Sequence, residues 1–359
     1  MKILSFILTC VFIFLIALQW NQQHSNYAVN GHQLVDKDAV ANRLSDFAQN
    51  ESDKIPTGVF INSLNFTGPN DVYLSGYVWQ EFSAEILKNH TPGVIFPDAV
   101  GDVTMKLSYS DNVKGITVVG WYFEANLRQN FSYKNYPLDH KTIWLKILPH
   151  KFLSNVTLIP SLQSYDRTAE SSIFGISQDI VIPGWDINES FFDFMSLNFD
   201  TDFGLHDGHL RTNLPELAFN IIVERDFLSA FMINITLQLV SISLLYSLIL
   251  MLTSNKHLSS KFSASVSSGI GTCAAIFFVV LLAHIDIRKN FPGAGIVYIE
   301  YFYLLSYLFV ALTAFAIYWF NSRENATTKG LFANDGFLLK VSFWPIYTLL
   351  ICLITWNHF

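Results

Sequence analysis

Three patterns of hydrophobic and polar positions follow one another along the chain. Met1 to Leu18 is almost unbroken apolar sequence behind a single charge at Lys2. Between Asn30 and Asp53, Val40, Leu44 and Phe47 recur at helical spacing, which predicts a short amphipathic helix. From Ile55 onward the period shortens to the alternation of half-buried strands. Strands are predicted at Val59–Phe66, Asp71–Phe82, Val103–Ser110, Gly115–Leu127, His140–Leu148, Val156–Gln163, Gly184–Phe192 and Asn213–Arg225. Turn residues such as Gly68, Pro69, Asn70 and Asp71 separate them. No long helical pattern interrupts the series, so residues 55–226 are expected to fold as an all-β, immunoglobulin-like sandwich. Four apolar segments come after it, at Phe227–Leu252, Phe262–Ile285, Ile296–Phe320 and Phe337–Trp356. Each approaches or exceeds the roughly 20 residues that a membrane-crossing helix needs. The expected fold is therefore an extracellular β-sandwich followed by a four-helix transmembrane bundle in residues 227–359, after a 20–54 extension that holds the short helix.

Orientation is set by the placement of charge. Residues 1–19 have the layout of a secretory signal peptide, a basic start and an apolar core. No small-x-small pair precedes Trp20, so an uncleaved anchor is the alternative; either one exports the polar domain. Lys256, His257 and Lys261 lie between the first two spans, Arg323 and Lys329 between the last two. Both loops are the more basic side and are expected inside. That places the sandwich and the C-terminus outside a plasma (inner) membrane, with Tyr298, Tyr301, Trp319, Trp344 and Trp356 as interfacial anchors against membrane lipid.

Composition narrows the class further. The chain is 51% hydrophobic and 15% aromatic, which suits a membrane protein. Its net charge of −7 divides into −10 over residues 20–225 and +3 elsewhere, so no nucleic acid partner is expected. Cys10, Cys273 and Cys352 all lie in apolar stretches, which leaves no disulfide for the polar domain. Nucleophile elbow, zinc-protease helix and phosphate loop are all missing, so no enzyme and no cofactor are expected.

The second apolar segment is unlike an ordinary lipid-facing helix. Ser263, Ser265, Ser267, Ser268 and Thr272 place hydroxyls where hydrocarbon offers them no water. One face reads Ser263, Ser267, Ile270, Ala274, Phe277 and Leu281, hydroxylated inside and apolar toward the outside. A ring of such helices makes a pore with a polar inner mouth and a hydrophobic gate. The plainer reading makes the serines, Gly269, Gly271 and Ala274 small-residue packing between helices.

An exported sandwich ahead of four spans, the second hydroxyl-lined, resembles the pentameric ligand-gated ion channels, particularly bacterial members. The resemblance is carried by Tyr136, Pro137, Leu138 and Asp139, an aromatic-Pro-hydrophobic-Asp turn. Gln129 and Ile143 stand near the positions where animal members place the two cysteines of a disulfide. Val94, Ile95, Phe96, Pro97 and Asp98 look like the family's aromatic-x-Pro-Asp loop, and Phe82 to Leu87 like a worn form of one of its strands. Arg225 matches an arginine kept just before the first span. The resemblance implies a homopentamer that opens when a small molecule, a proton or a divalent ion binds outside. It also implies that Asp71, Pro137, Asp139, Arg225 and Pro292 couple binding to the pore, with Arg225 pairing to Asp139 and to Asp71. Read without it, Arg225 is an interfacial anchor and Asp139 a turn cap.

The same layout puts ligand sites between neighbouring sandwiches, with Tyr77, Trp79, Phe96, Tyr122, Tyr165 and Phe203 as lining that can hold an ammonium group. Ordinary core packing is the competing account of these rings. His206, Asp207 and His209 offer three metal-ligating side chains in four residues, or else a solvated turn. The pore helix and its exit loop, Lys261 to Pro292, run longer than is usual in the family. Counting from Lys261 gives the Ser263, Ser267 and Ile270 face, whereas counting back from Pro292 gives Gly271, Ala275 and Phe278. The first register is preferred, because it puts hydroxyls in the lumen and apolar residues at the gate. A membrane sensor with the same sandwich on a sealed, non-conducting bundle is the alternative to a channel.

Overall fold

The computed structural model describes residues 1–25, 31–47, 52–152, 155–166, 168–169, 171–205, 212–252, 266–291, 293, 295–322 and 333–359. The chain forms two compact units: Ala28–Phe131 with His140–Arg225, and Met1–Tyr27 with Ser132–Asp139 and Asp226–Phe359.

The first unit is built from β1 (Asp53–Phe66), β2 (Asp71–Ser83), β3 (Val94–Ile95), β4 (Thr104–Val113), β5 (Ile116–Arg128), β6 (His140–Pro149), β7 (Val156–Pro160), β8 (Trp185–Leu197) and β9 (Leu214–Arg225). One sheet runs β4-β5-β2-β1-β7 and the other β3-β6-β9-β8. All pairings are antiparallel except β1 with β7, which is parallel. Alternation explains β2: Val72, Leu74, Val78 and Phe82 are fully buried while Tyr73, Tyr77, Trp79 and Glu81 stay partly exposed. By contrast β9 is buried at nearly every position, polar Glu216 and Asn220 included. Phe192 of β8 and Phe219 of β9 meet at 4.9 Å, and both contact Phe174. All eight predicted strands are present, with β1, β4 and β8 longer than expected and β7 stopping at Pro160, where a short 3-10 turn over Leu162–Ser164 follows; β3 was not predicted. Phe82 to Leu87 leaves the strand at Ala84, where Ser83 caps the short helix α3 (Ala84–Asn89) by accepting from the Ile86 amide.

The predicted amphipathic helix is α2 (Lys37–Leu44), capped by Asp36 and buried through Val40 and Leu44. Phe47 just beyond it packs edge-on against Phe194 of β8 at 6.1 Å. Gly58 sits directly opposite Trp79 across the β1–β2 pair. A Cβ there would lie 2.1 Å from Trp79 Cζ2, so only glycine lets the indole lie flat on the neighbouring strand.

The second unit holds α1 (Lys2–Ser25), α4 (Phe227–Leu250), α5 (Val266–Asn290), α6 (Tyr298–Ser322) and α7 (Ala333–His358). All five are long and apolar enough to cross a membrane. Helix α1 packs on α7, and α5 packs on α6 and α4. Helix α5 runs five residues past the predicted end at Ile285, so Asp286 and Arg288 belong to the helix and not to its exit loop. Nothing in Asp286–Asn290 breaks a helix, and Arg288 and Lys289 complement the negative end of its dipole. The basic loops used to orient the chain lie outside the described residues.

Candidate functional site

The segment between β5 and β6, Ser132–Asp139, belongs to the helical unit. It is a compact turn in which the Tyr136 amide donates to Tyr133 O at 3.0 Å and the Leu138 amide to Asn135 O at 2.8 Å, around a cis Tyr136–Pro137 peptide. Tyr133 and Tyr136 hold the ring of Phe291 between them, with centroid separations of 4.7 and 4.8 Å. Phe291, at the end of α5, is 5% exposed. The Tyr136 hydroxyl accepts from Asn234 Nδ2 of α4 at 2.7 Å, and the Tyr298 amide at the start of α6 donates to Lys134 O at 2.9 Å. One turn thus touches three helices: α4 two turns in from its start, α5 at its end and α6 at its start. Pro137, Leu138 and Asp139 are buried with it.

Beside this turn, the ends of α5 and α6 are joined by a polar knot. Glu300 is 4% exposed and accepts from the Val297 amide at 2.8 Å and from Arg288 Nη1 at 3.3 Å. His284 lies between Tyr307 O (Nδ1 to hydroxyl, 3.0 Å) and Glu300 Oε1 (Nε2, 3.4 Å), and stacks on Tyr303. Arg288 also donates to Gly295 O at 2.9 Å, which ties the connecting segment to the helix end. A carboxylate this buried is tolerable only with such partners. Deeper in the unit, Asn234, Gln238 and Ser241 of α4 are buried, and Gln238 Oε1 accepts from Ser306 Oγ of α6 at 2.6 Å. None of these three is among the residues singled out by sequence, although polar residues four and three apart inside an apolar run mark an inward face.

On α5, Cys273, Ile276, Val280 and Ile287 form the buried face. Gly271, Ala275, Phe278 and Leu282 lie opposite it and are exposed, Phe278 to 60% and Leu282 to 66%. Of the other face, Ser267, Ile270 and Ala274 are exposed, Phe277 and Leu281 are half-buried, and Ser263 lies outside the described residues. Phe277 contacts Tyr307 of α6 at 5.5 Å, so this face turns partly toward the chain's own helices. The Thr272 hydroxyl donates back to Ser268 O at 3.0 Å and is satisfied by its own helix.

In the β unit one member of the expected ionic joint, Asp71, has another partner. The β2–β5 register places Asp71 opposite Arg128, whose Nε donates to it at 2.9 Å, so Asp71 pairs with Arg128 and not with Arg225. Arg225 stands opposite Trp185 in the β8–β9 pair, its guanidinium 4.0 Å from that ring's centroid. Pro292 lies outside the described residues.

The six aromatic candidates fall in four places. Tyr77 and Tyr122 are cross-strand partners with rings 5.5 Å apart. Trp79 contacts Tyr165 at 5.8 Å. Tyr165 is partly buried and tied inward: its hydroxyl exchanges hydrogen bonds with the Val59 backbone, and burial pushes its pKa up. Phe96 is 6% exposed and packed on Phe123. Phe203 joins Phe152 and Phe199 in a separate cluster. Phe96 and Tyr165 are therefore spent on packing within the chain. Two cavities, of about 690 and about 520 Å³, open beside α2 with none of the six in their walls. His206, Asp207 and His209 lie outside the described residues, and among the described residues no three metal-ligating side chains cluster.

Asp98 of the Pro-Asp loop anchors a charged group in this unit. It accepts from Trp144 Nε1 at 2.8 Å and pairs with Lys146 Nζ at 3.2 Å. The same ammonium lies 3.9 Å from Glu216, whose side chain is 3% exposed. Burial pushes the Glu216 carboxyl up to about 7; Lys146 opposes the shift and Asp98 adds to it. Against known proteins, no family model matches the chain, and neither does any curated protein.

Proposed function

We propose that the protein is a homopentameric ion channel, opened by a small molecule, a proton or a divalent ion acting on an exported immunoglobulin-like sandwich. The observation that carries this reading is the Ser132–Asp139 turn, which leaves the sheets and closes on Asn234 of α4, Phe291 at the end of α5 and Tyr298 at the start of α6. A rearrangement of the sheets that moved this turn would reach α5 directly, the helix assigned to the pore. Five copies of α5 surround the axis, each turning toward it the face opposite α4 and α6. That face is Gly271, Ala275 and Phe278, the second of the two registers the sequence allows, and Leu282 continues it at helical spacing. Phe278 and Leu282 form the hydrophobic gate, closing the pore by excluding water. The acidic outer domain gathers cations at the entrance.

The test is voltage-clamp recording with external steps of pH, divalent ions and small amines. Ala275→Cys and Ala274→Cys are compared with the parent chain under a charged thiol reagent. The expected result is a stimulus-evoked current that the reagent blocks in Ala275→Cys and not in the parent. Block confined to Ala274→Cys returns the pore to the Ser267 and Ile270 face. Silence under every stimulus, with surface expression measured, replaces the channel by the sealed sensor.

A further inference from the structure

Helix α1 is packed in a way that an export signal due for removal does not require. Its buried position Ile16 and its partly buried positions Ser5, Thr9, Phe12, Gln19, Trp20 and Gln23 fall on one stripe, at spacings of three and four. The stripe lies along α7. Near one end the Ser5 hydroxyl donates to Val341 O, at 2.5 Å. Near the other the Trp20 indole donates to the Tyr298 hydroxyl at 2.8 Å, and that hydroxyl shares a 2.7 Å hydrogen bond with Thr355. Val341 is early in α7 and Thr355 late, so α1 and α7 run in the same direction. The Trp20 ring also contacts Phe227 and Phe231 of α4, at 5.6 and 6.2 Å, and Phe302 of α6 at 6.5 Å. Tyr298 and Thr355 are fully buried.

The opposite side of α1 is apolar and open: Ile3 is 78% exposed, Phe6 70% and Phe14 62%. Such a surface is covered only by hydrocarbon. Helix continues without a break through Gln19, Trp20, Asn21, Gln22 and Gln23, where a cleaved signal would present small residues in an accessible segment.

We propose that α1 is retained in the mature protein as a fifth membrane-crossing helix, packed on α7 and keyed through Trp20 to the outer ends of α4 and α6. Its orientation, Lys2 inside and Trp20 outside, rests on the topology of the channel reading. Its retention does not. The five spans keep the sheets and the C-terminus on one side, since the direction of α1 matches that of α7. Lipid is the occupant of its outer face.

The experiment takes full-length protein purified from membranes through a C-terminal tag and measures its intact mass. A mass that includes residues 1–25 is expected; a mature form beginning between residues 19 and 30 overturns the proposal. Thermal unfolding in detergent then compares Trp20→Ala with Phe14→Ala and with the milder Trp20→Phe. Trp20→Ala should lower the melting temperature by several degrees, Trp20→Phe by less, and lipid-facing Phe14→Ala not at all. Equal melting of all three with the parent overturns the keyed packing. Neither readout needs a current, so failure here and failure of the channel reading are separate results.

Discussion

Replacing Glu216 by glutamine should change how the β unit responds to pH more than how it folds. Glu216 points from β9 into a region where its side chain is 3% exposed and its cationic neighbour, Lys146, is already paired with Asp98. Burial raises its folded pKa to about 7 from the ordinary 4.5. At pH 4 both folded and unfolded chains hold the proton. As pH rises from 4.5 toward 7 the unfolded state releases it while the folded state keeps it, so this group's contribution to stability falls across that window and levels off above it. The full gap corresponds to about 3 kcal/mol. For a unit of this size that is roughly 6 to 12 °C in melting temperature. Glutamine keeps the shape and removes the titration. Melting curves of parent and Glu216→Gln, taken from pH 5 to pH 8, should therefore diverge as pH rises, the variant gaining at the alkaline end. Asp193, whose carboxyl burial also raises, titrates equally in both proteins and cancels in the difference. Curves separated by a constant offset would refute the reasoning, because then Glu216 ionises in the folded chain as readily as in the unfolded one.

Two other substitutions test particular contacts. Phe291→Ala removes the ring held between Tyr133 and Tyr136 and should destabilise the helical unit by about 3–5 kcal/mol, read as a lower melting temperature in detergent. In the channel reading it also shifts the stimulus needed for half-maximal current, and unchanged gating with lowered stability would confine Phe291 to packing. Gly58→Ala pushes a methyl group into the Trp79 indole and should cost about 1–3 kcal/mol through overpacking, measured by chemical denaturation. Trp79→Leu in the same chain should restore most of that loss, and no rescue would mean the strain lies elsewhere.

Strands and helices were legible because their signals are local. Val72, Leu74 and Val78 alternate with polar or aromatic neighbours, and Val40 and Leu44 recur at helical spacing, so burial on one face is set by the order of residues alone. The turn at Tyr136 and Pro137 was also legible, as a motif with fixed punctuation. The features hidden in the sequence depend on pairing across distance. The resemblance to the channel family implies that Arg225 pairs with Asp139 and with Asp71. The β2–β5 register instead hands Asp71 to Arg128, 57 positions along the chain. The aromatic candidates meet a related difficulty. In a chain that is 15% aromatic, ring identity does not separate a ligand wall from a core, and only the observed packing puts Phe96 in the latter.

Packing contributes much of the joint that the helical unit offers. Among the contacts that hold the Ser132–Asp139 turn in its own unit are ring against ring at Phe291, a side-chain hydrogen bond from Asn234 and a backbone hydrogen bond at Tyr298. Packed rings have few arrangements and lose their attraction within a fraction of an ångström, so a site built from them switches between discrete states instead of yielding gradually. Glu300 reinforces this. With Arg288, His284 and the Val297 amide all converging on one buried carboxylate, the ends of α5 and α6 cannot separate without stranding a charge. In the proposed channel, motion of the turn must therefore move α5 and α6 together at their outer ends. The change at the Phe278 and Leu282 gate is then a tilt or rotation of the α5–α6 pair, not a movement of α5 alone.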